Sequence, residues 1–284
     1  MTLHCHNTAY ADHAKWETVS ILENVEAARD TFRVRFSSPQ IAKHVTPGQF
    51  VMFRLPGAND PLLGRPFAVY NILCDTIDVI YLVVGKMTTR LAARRSGSKL
   101  EVWGPLGNGF SGEKAKHLVM VAGGIGQTPF LTLAQEYLHV RTFGSPARDV
   151  DKAKKVTLCY GARSEKCMAG VDDFRALGVD VRIATDDGSV GHHGLVTELV
   201  EPAVAKLPDG CRIVCCGPQP MLKAASDIAK KLELPCHVSL ENSMACGIGV
   251  CFSCVVKVRD ASGEQDYRRT CVDGPVFDAK DLDL

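Results

Sequence analysis

Val119-Met120-Val121-Ala122-Gly123-Gly124-Ile125-Gly126-Gln127-Thr128-Pro129 reads as an apolar strand that runs into a glycine turn and then a helix. The helix is expected over 128–137, with Pro129 in its first turn, where a missing N–H is tolerated. Such a turn brings main chain close to a pyrophosphate, and a helix start adds N–H donors and partial positive charge. The segment is not the strict G-x-G-x-x-G, so a plain tight turn fits it equally well when it is taken alone. A second strand end, Cys215-Cys216-Gly217-Pro218-Gln219-Pro220-Met221, would reach the same C-terminal sheet edge, where ligands of such folds bind. Gly123, Gly124, Gly126, Cys216 and Gly217 are therefore the candidate nucleotide-binding residues.

Outward from this stretch the chain alternates strand and helix. Strands are expected at 156–160, 179–185 and 212–216, with helical segments around Met168, Val171 and Phe174 and around Met221, Ala225, Ile228 and Leu232. That alternation implies a parallel, Rossmann-like sheet with helices on both faces, over residues 113–233. The charged stretch 139–154 reads as a surface excursion. Upstream, residues 15–112 show short alternating strands such as Phe32, Val34 and Phe36, punctuated by Pro47-Gly48, Pro56-Gly57 and Gly104-Pro105. This spacing suits a small antiparallel β-barrel. From Leu234 the pattern breaks into a compact cysteine-bearing tail, 234–284. The fold class is thus multidomain, a β-barrel joined to an α/β unit and a small C-terminal domain.

That tail carries Cys246-x4-Cys251-x2-Cys254, with Cys271 after a longer gap. The spacing is that of plant-type 2Fe-2S ligation. A 2Fe-2S cluster needs four inward thiolates from a loop folded around it, and Gly247 and Gly249 free the main chain to bend and to donate toward sulfur. Structural zinc favours paired C-x2-C knuckles, and only one such pair is present, so Cys246, Cys251, Cys254 and Cys271 read as cluster ligands.

Composition narrows the function classes. The chain has 284 residues, 46% hydrophobic and 23% charged, with 33 basic against 32 acidic side chains and a formal charge of +1. Nothing in this balance calls for nucleic acid or an anionic membrane. No apolar run reaches the ~20 residues of a membrane helix, and Ile77–Val84, interrupted by Asp78, reads as a strand. The N-terminus carries His4, Cys5, His6 and His13 without the pattern of a secretory signal, and reads as a frayed end rather than a metal site. Twelve cysteines without an export signal point to a reducing, cytoplasmic setting in which they serve as ligands or buried thiols.

The first domain adds Gly64-Arg65-Pro66-Phe67-Ala68-Val69-Tyr70, a turn entering a strand. Arg65 suits bidentate phosphate contact, and Phe67 or Tyr70 could flank a ring system; a surface arginine beside core aromatics is the plain alternative. Val84-Gly85-Lys86-Met87-Thr88-Thr89-Arg90 is a strand-to-helix junction suited to capping or to phosphate. Asp186-Asp187-Gly188-Ser189 and His192-His193-Gly194 form a turn before a helix over 195–200. Neither histidine is needed as an acid or base for electron and hydride transfer, so no catalytic residue is assigned.

In this order the motifs resemble the ferredoxin reductase superfamily. More closely, the chain resembles the electron-transfer subunits of type B dihydroorotate dehydrogenases, in Arg65–Ala68, Val84–Thr88, Gly104–Phe110, Ala184–Ser189, Met244–Cys251 and Cys271–Phe277. The resemblance covers about residues 17–284. It implies FAD against Arg65, Pro66, Phe67, Ala68, Ile80, Tyr81, Leu82, Met87 and Thr88, with NAD at the glycine turn. Three positions depart from the family pattern: Ala68 replaces Ser, Leu82 replaces a common Arg, and Met87 replaces Gly. The resemblance further implies an FMN-containing catalytic subunit that oxidises dihydroorotate in pyrimidine biosynthesis, joined to this chain in a heterotetramer. Electrons would cross the 2Fe-2S cluster to FAD and then NAD(H), because a flavin alone couples one-electron to hydride carriers. A flavin and iron-sulfur subunit of an NADH-dependent ferredoxin:NADP oxidoreductase shares this layout, and a cluster-based redox sensor is an alternative of another class. Arg163, after a strand end, leaves NAD against NADP open at this stage.

Overall fold

The computed structural model of the chain describes residues 11–57, 60–259 and 263–284. His4, Cys5 and His6 lie outside the described residues, while the His13 ring stacks on His44 with centroids 4.2 Å apart.

The N-terminal unit is a seven-stranded antiparallel sheet curled over its own core. Its strands are β1 (Lys15–Ala28), β2 (Thr31–Ser37), β3 (Phe50–Arg54), β4 (Arg65–Ala68), β5 (Asn71–Leu73), β6 (Thr76–Leu82) and β7 (Lys99–Leu106), in the order β4-β3-β7-β1-β2-β6-β5. Helices α1 (Pro39–His44) and α2 (Lys86–Ala92) lie between them. The edges β4 and β5 are not paired with each other, so the sheet is a half-barrel. The alternation read from sequence fills the interior: Val34, Phe36, Ile77 and Val79 are fully buried. Asp78, which interrupts that pattern, is itself buried and accepts two hydrogen bonds from Arg35 at 2.6 and 2.7 Å. A buried carboxylate needs such a partner.

The second sheet contains β8 (His117–Gly123), β9 (Lys155–Ala162), β10 (Asp180–Thr185), β11 (His192–His193), β12 (Cys211–Cys216) and β13 (Cys236–Ser239), all parallel. A hairpin follows, β14 (Val255–Arg259) against β15 (Gln265–Arg269), and then β16 (Val276–Asp278), which pairs antiparallel with β13 and ends the order β11-β10-β9-β8-β12-β13-β16. The chain leaves β8 in opposite directions, to β9 on one side and β12 on the other. The crevice beyond the strand ends lies at this switch point.

Helices α3 (Phe130–Tyr137), α4 (Val171–Ala176), α5 (Val200–Val204) and α6 (Gln219–Lys231) cover the sheet faces. Three of these correct the sequence reading. The glycine turn continues as a 3-10 turn over Gly124–Gln127, so α3 begins later than expected. The helix expected over 195–200 is a 3-10 turn, Val196–Leu199, leading into α5. The stretch 139–154 is not a mere surface excursion, because Phe143 enters the half-barrel core while Val150 and Ala153 join the core under β8. Arg148 fastens it, bonding the Phe110 carbonyl and the buried Glu136 carboxylate at 2.5 Å. A few apolar anchors among many charges made this strap look like solvent-facing loop. Among the described residues no helix is long and apolar enough to cross a membrane.

Candidate cofactor and cluster site

The crevice at the switch point is a cleft of about 1000 Å³ between the half-barrel and the parallel sheet. One wall is Leu82, Val83 and Val84, and the other carries Gly123, Gly124, Ile125, Gly161–Ser164, Gly217 and Pro218. Cys216 pairs with Ala122 in the sheet, so the two motif-bearing strand ends lie side by side. Their fit leaves no room for a side chain at Gly126, where an added Cβ would stand 2.1 Å from the Cys216 carbonyl oxygen. A glycine main chain exposed at such an edge suits a pyrophosphate. Burial and the charge of Glu241 push the Cys216 thiol up to about 12, so this cysteine stays neutral beside the cleft.

The flavin-strand candidates fall into two sets. Arg65 is exposed, its guanidinium donating only to the carbonyls of Leu63 and Gly64 among the described residues. Pro66, Phe67 and Ala68 are half-buried, and Leu82 opens onto the cleft. Ile80, Tyr81 and Met87, by contrast, turn their side chains into the interior, Tyr81 donating to Asn24 at 3.0 Å. The Thr88 hydroxyl is occupied by the N–H groups of Val84 and Gly85 at 3.0 and 3.1 Å. These four positions therefore offer main chain rather than side chain to a ligand. Tyr70 does not flank the cleft as a ring platform: it is 1% exposed and donates to Asp173. An apolar wall and a roomy cleft fit a flavin nucleotide, while Arg65, Pro66, Phe67 and Ala68 are not among the residues that line that cleft.

The cysteine loop packs on the outside of the half-barrel, where Met244, Cys254, Cys271 and Val272 share a core with Phe50, Met52, Trp103 and Leu106. Gly247 takes φ +73°, and a Cβ there would meet Met52 at 2.7 Å, so only glycine lets the loop lie down. Trp103 Nε1 donates to the Cys246 carbonyl at 2.9 Å, and Arg269 donates to the Gly249 carbonyl at 3.0 Å. Cys246 acts on the Cys251 thiol, and both Cys254 and Cys246 act on the Cys271 thiol, so the four lie in one neighbourhood. No three His, Cys, Asp or Glu side chains among the described residues are placed to share one ion. A 2Fe-2S cluster takes two thiolates for each of its two irons, a demand that four cysteines in one loop region fit. Ser253 holds the Cys251 thiol down to about 6 through its hydroxyl and N–H, favouring the thiolate that iron binds; burial pushes Cys271 the other way.

Sequence reasoning missed Trp103, an ordinary strand residue until its indole is seen against the cysteine loop. It also missed Glu241, which lines the cleft, and read Asp186 as part of a turn without assigning it to the cleft it lines. Asp186 directly follows β10, a strand-end position of the kind that meets ligands in such sheets. A groove of about 490 Å³ separates the start of β4 from the cysteine loop, lined by Trp16, Arg54, Leu62, Leu63, Trp103 and Cys246 among others.

Comparison with known proteins agrees with this division. Residues 241–283 match the iron-sulfur cluster binding domain of dihydroorotate dehydrogenase B, and residues 120–227 match the oxidoreductase NAD-binding domain. The dihydroorotate dehydrogenase B (NAD(+)) electron transfer subunit of Caldanaerobacter subterraneus subsp. tengcongensis is 36% identical over 262 residues, 92% of this chain and 96% of that one. The corresponding subunit of Shouchella clausii is 37% identical over 265 residues, 91% and 95% of the two chains. Among solved structures, an NADH-dependent reduced ferredoxin-NADP oxidoreductase superposes with a TM-score of 0.77 at 28% identity, covering 93% of this chain and 89% of that one. A ferredoxin NADP+ reductase from Neisseria gonorrhoeae with bound FAD and NADP shares the fold at a TM-score of 0.62 and 18% identity, over 77% and 92%.

Proposed function

The chain belongs to the family of dihydroorotate dehydrogenase B electron transfer subunits, and from this premise we propose how its own residues serve an NAD-linked oxidoreductase with a partner catalytic subunit. The partner we propose is the FMN-containing subunit that oxidises dihydroorotate, joined to this chain in a heterotetramer. The observation that carries the reading is one chain that brings together a four-cysteine loop packed on the half-barrel and a nucleotide cleft between the half-barrel and the parallel sheet.

When bound, the cluster supplies one-electron exchange, the nicotinamide hydride exchange, and the flavin the conversion between the two. Cys246, Cys251, Cys254 and Cys271 hold the cluster. Arg65 and the main chain of Pro66–Ala68, Ile80–Leu82 and Met87–Thr88 hold FAD, with Leu82 closing one side. Gly123, Gly124, Gly126, Cys216 and Gly217 receive the nicotinamide nucleotide through main-chain donors. Asp186 favours NAD, because a carboxylate accepts ribose hydroxyls and repels a 2'-phosphate. The partner approaches over the cysteine loop, where Val250 is 73% and Phe252 61% exposed. Phe252 is held there at φ +57° with the Arg269 guanidinium over its ring at 5.3 Å. A strained, outward-facing aromatic beside two ligands is an unusual arrangement for a residue that merely shields.

The test is dihydroorotate-dependent reduction of NAD+, measured on the anaerobically purified chain with and without its partner alongside the visible spectrum. Activity only with the partner, on a preparation showing flavin and iron-sulfur absorbance, supports the reading. The same absorbance with reactivity toward ferredoxin instead would move the chain to the reductase role of its structural neighbour.

A further inference from the structure

Tyr70 lies two residues beyond the flavin strand β4, yet its side chain leaves the half-barrel. Its ring packs in the core of the parallel-sheet unit with Met120, Phe130 and Phe174. Its hydroxyl donates to the Asp173 carboxylate of α4 at 2.5 Å. The chain just before α4 is shaped around it: Gly170 takes φ +75°, and an added Cβ would stand 2.3 Å from the Tyr70 hydroxyl oxygen. The neighbouring Ala169 lines the cleft, and its N–H donates to the Tyr160 hydroxyl at 3.3 Å, so the wall of the nucleotide cleft begins one residue from this contact. A second bond crosses nearby, from Gln135 of α3 to Asn71, next to Tyr70, at 3.0 Å.

We propose that Tyr70 is a positioning residue: its hydrogen bond to Asp173 fixes the flavin strand against the nucleotide-binding sheet and so sets the alignment across the cleft. The proposal rests on the reading that FAD lies along β4 and NAD at the glycine turn. A hydride donor and acceptor react only within a narrow range of separation, and a misplacement of about an ångström costs on the order of a hundredfold. A tether between the two units, anchored on the buried Tyr70 ring, can hold that range, because a hydrogen bond to a charged group is among the stronger ones in a fold. The Tyr70 ring already supplies the packing; the hydroxyl adds direction.

The experiment compares Tyr70→Phe, Asp173→Ala and Asp173→Asn in the full chain with its cofactors. Amide exchange is followed by mass spectrometry, NAD affinity by calorimetry, and flavin reduction by NADH in a stopped-flow instrument. Tyr70→Phe and Asp173→Ala should each raise exchange around 168–176 by about tenfold, as expected for losing a charge-assisted hydrogen bond. Both should slow flavin reduction by at least about tenfold on the geometric argument above, with NAD affinity and the cluster spectrum unchanged. Asp173→Asn, whose amide oxygen still accepts, should recover most of the rate. Faster exchange with an unaltered rate would make the contact merely structural and overturn the proposal, as would an unaltered exchange pattern in both disruptive variants. Asp173 is exposed, so its variants fold even if Tyr70→Phe does not. Failure of the wild-type chain to bind NAD at all would instead refute the cofactor reading on which the proposal rests.

Discussion

Replacing Trp103 by Phe removes the indole donor and trims the ring edge that lies against Gly64. The indole is 7% exposed and stacks on Trp16 at 4.5 Å with an interplanar angle of 4°, a contact a phenyl ring largely keeps. The hydrogen bond lost is that from Nε1 to the Cys246 carbonyl at 2.9 Å. A carbonyl deprived of its donor in a partly buried place costs about 1–2 kcal/mol, or about a five- to thirtyfold shift toward the open loop. With Cys246 as a proposed cluster ligand, loop opening would expose the cluster. Cluster loss to an iron chelator, followed by bleaching of the visible absorbance, should therefore quicken by that factor, while NADH-to-dye reduction through the flavin stays near wild type. An unchanged rate of bleaching would refute the idea that Trp103 clamps the loop. Equal loss of dye reduction would show instead that the substitution disturbs the half-barrel as a whole.

Cys251→Ser should abolish the cluster and partner-coupled turnover while sparing NADH-to-dye reduction; equal loss of both would refute the assignment of the cluster to the partner side. Gly126→Ala must push β12 away from the glycine turn, since the new Cβ meets the Cys216 carbonyl oxygen at 2.1 Å and main chain cannot step aside. It should cost about 1–3 kcal/mol of stability and weaken NAD binding at least about tenfold (1.4 kcal/mol), by melting and calorimetry, with the iron-sulfur absorbance intact. His117 is fully buried, between the Leu207 carbonyl and the Thr157 hydroxyl, and desolvation lowers its pKa below the ordinary 6.5. Burial and Arg212 lower His237 likewise. Neutral imidazole thus contributes stability that is present above pH 6.5 and lost as pH falls through the folded-state values. Melting temperature should drop from pH 7 to 5, and His117→Gln should flatten that slope; a parallel slope in the variant would show that His117 does not titrate on unfolding.

The fold was legible wherever periodicity was strict. The alternation of Val34 and Phe36 and of Ile77 and Val79 marked strands, and the apolar run before Gly123 marked the central one. It failed where short 3-10 turns take the place of helix starts, at Gly124–Gln127 and Val196–Leu199, because a single turn has too few residues to display a period. It failed again over 139–154, where Phe143, Val150 and Ala153 are anchors spaced too irregularly to register as either period, and only tertiary packing shows that they are buried.

The candidate site divides along a similar line. The four cysteines stood out in the spacing because ligand chemistry demands that residue type in that order, and the iron-sulfur domain match over 241–283 covers all four. The flavin positions carry no such demand. A main chain that meets a nucleotide constrains its own side chains only weakly, and Met87, in the first turn of α2, sends its side chain into the half-barrel core, where a large residue is accommodated. The same logic accounts for Thr88, whose hydroxyl closes the turn from within. Departures from a family pattern at such positions therefore weaken a cofactor assignment less than their number suggests. Leu82 is the exception, since it does line the cleft, where Arg163 is among the cations present.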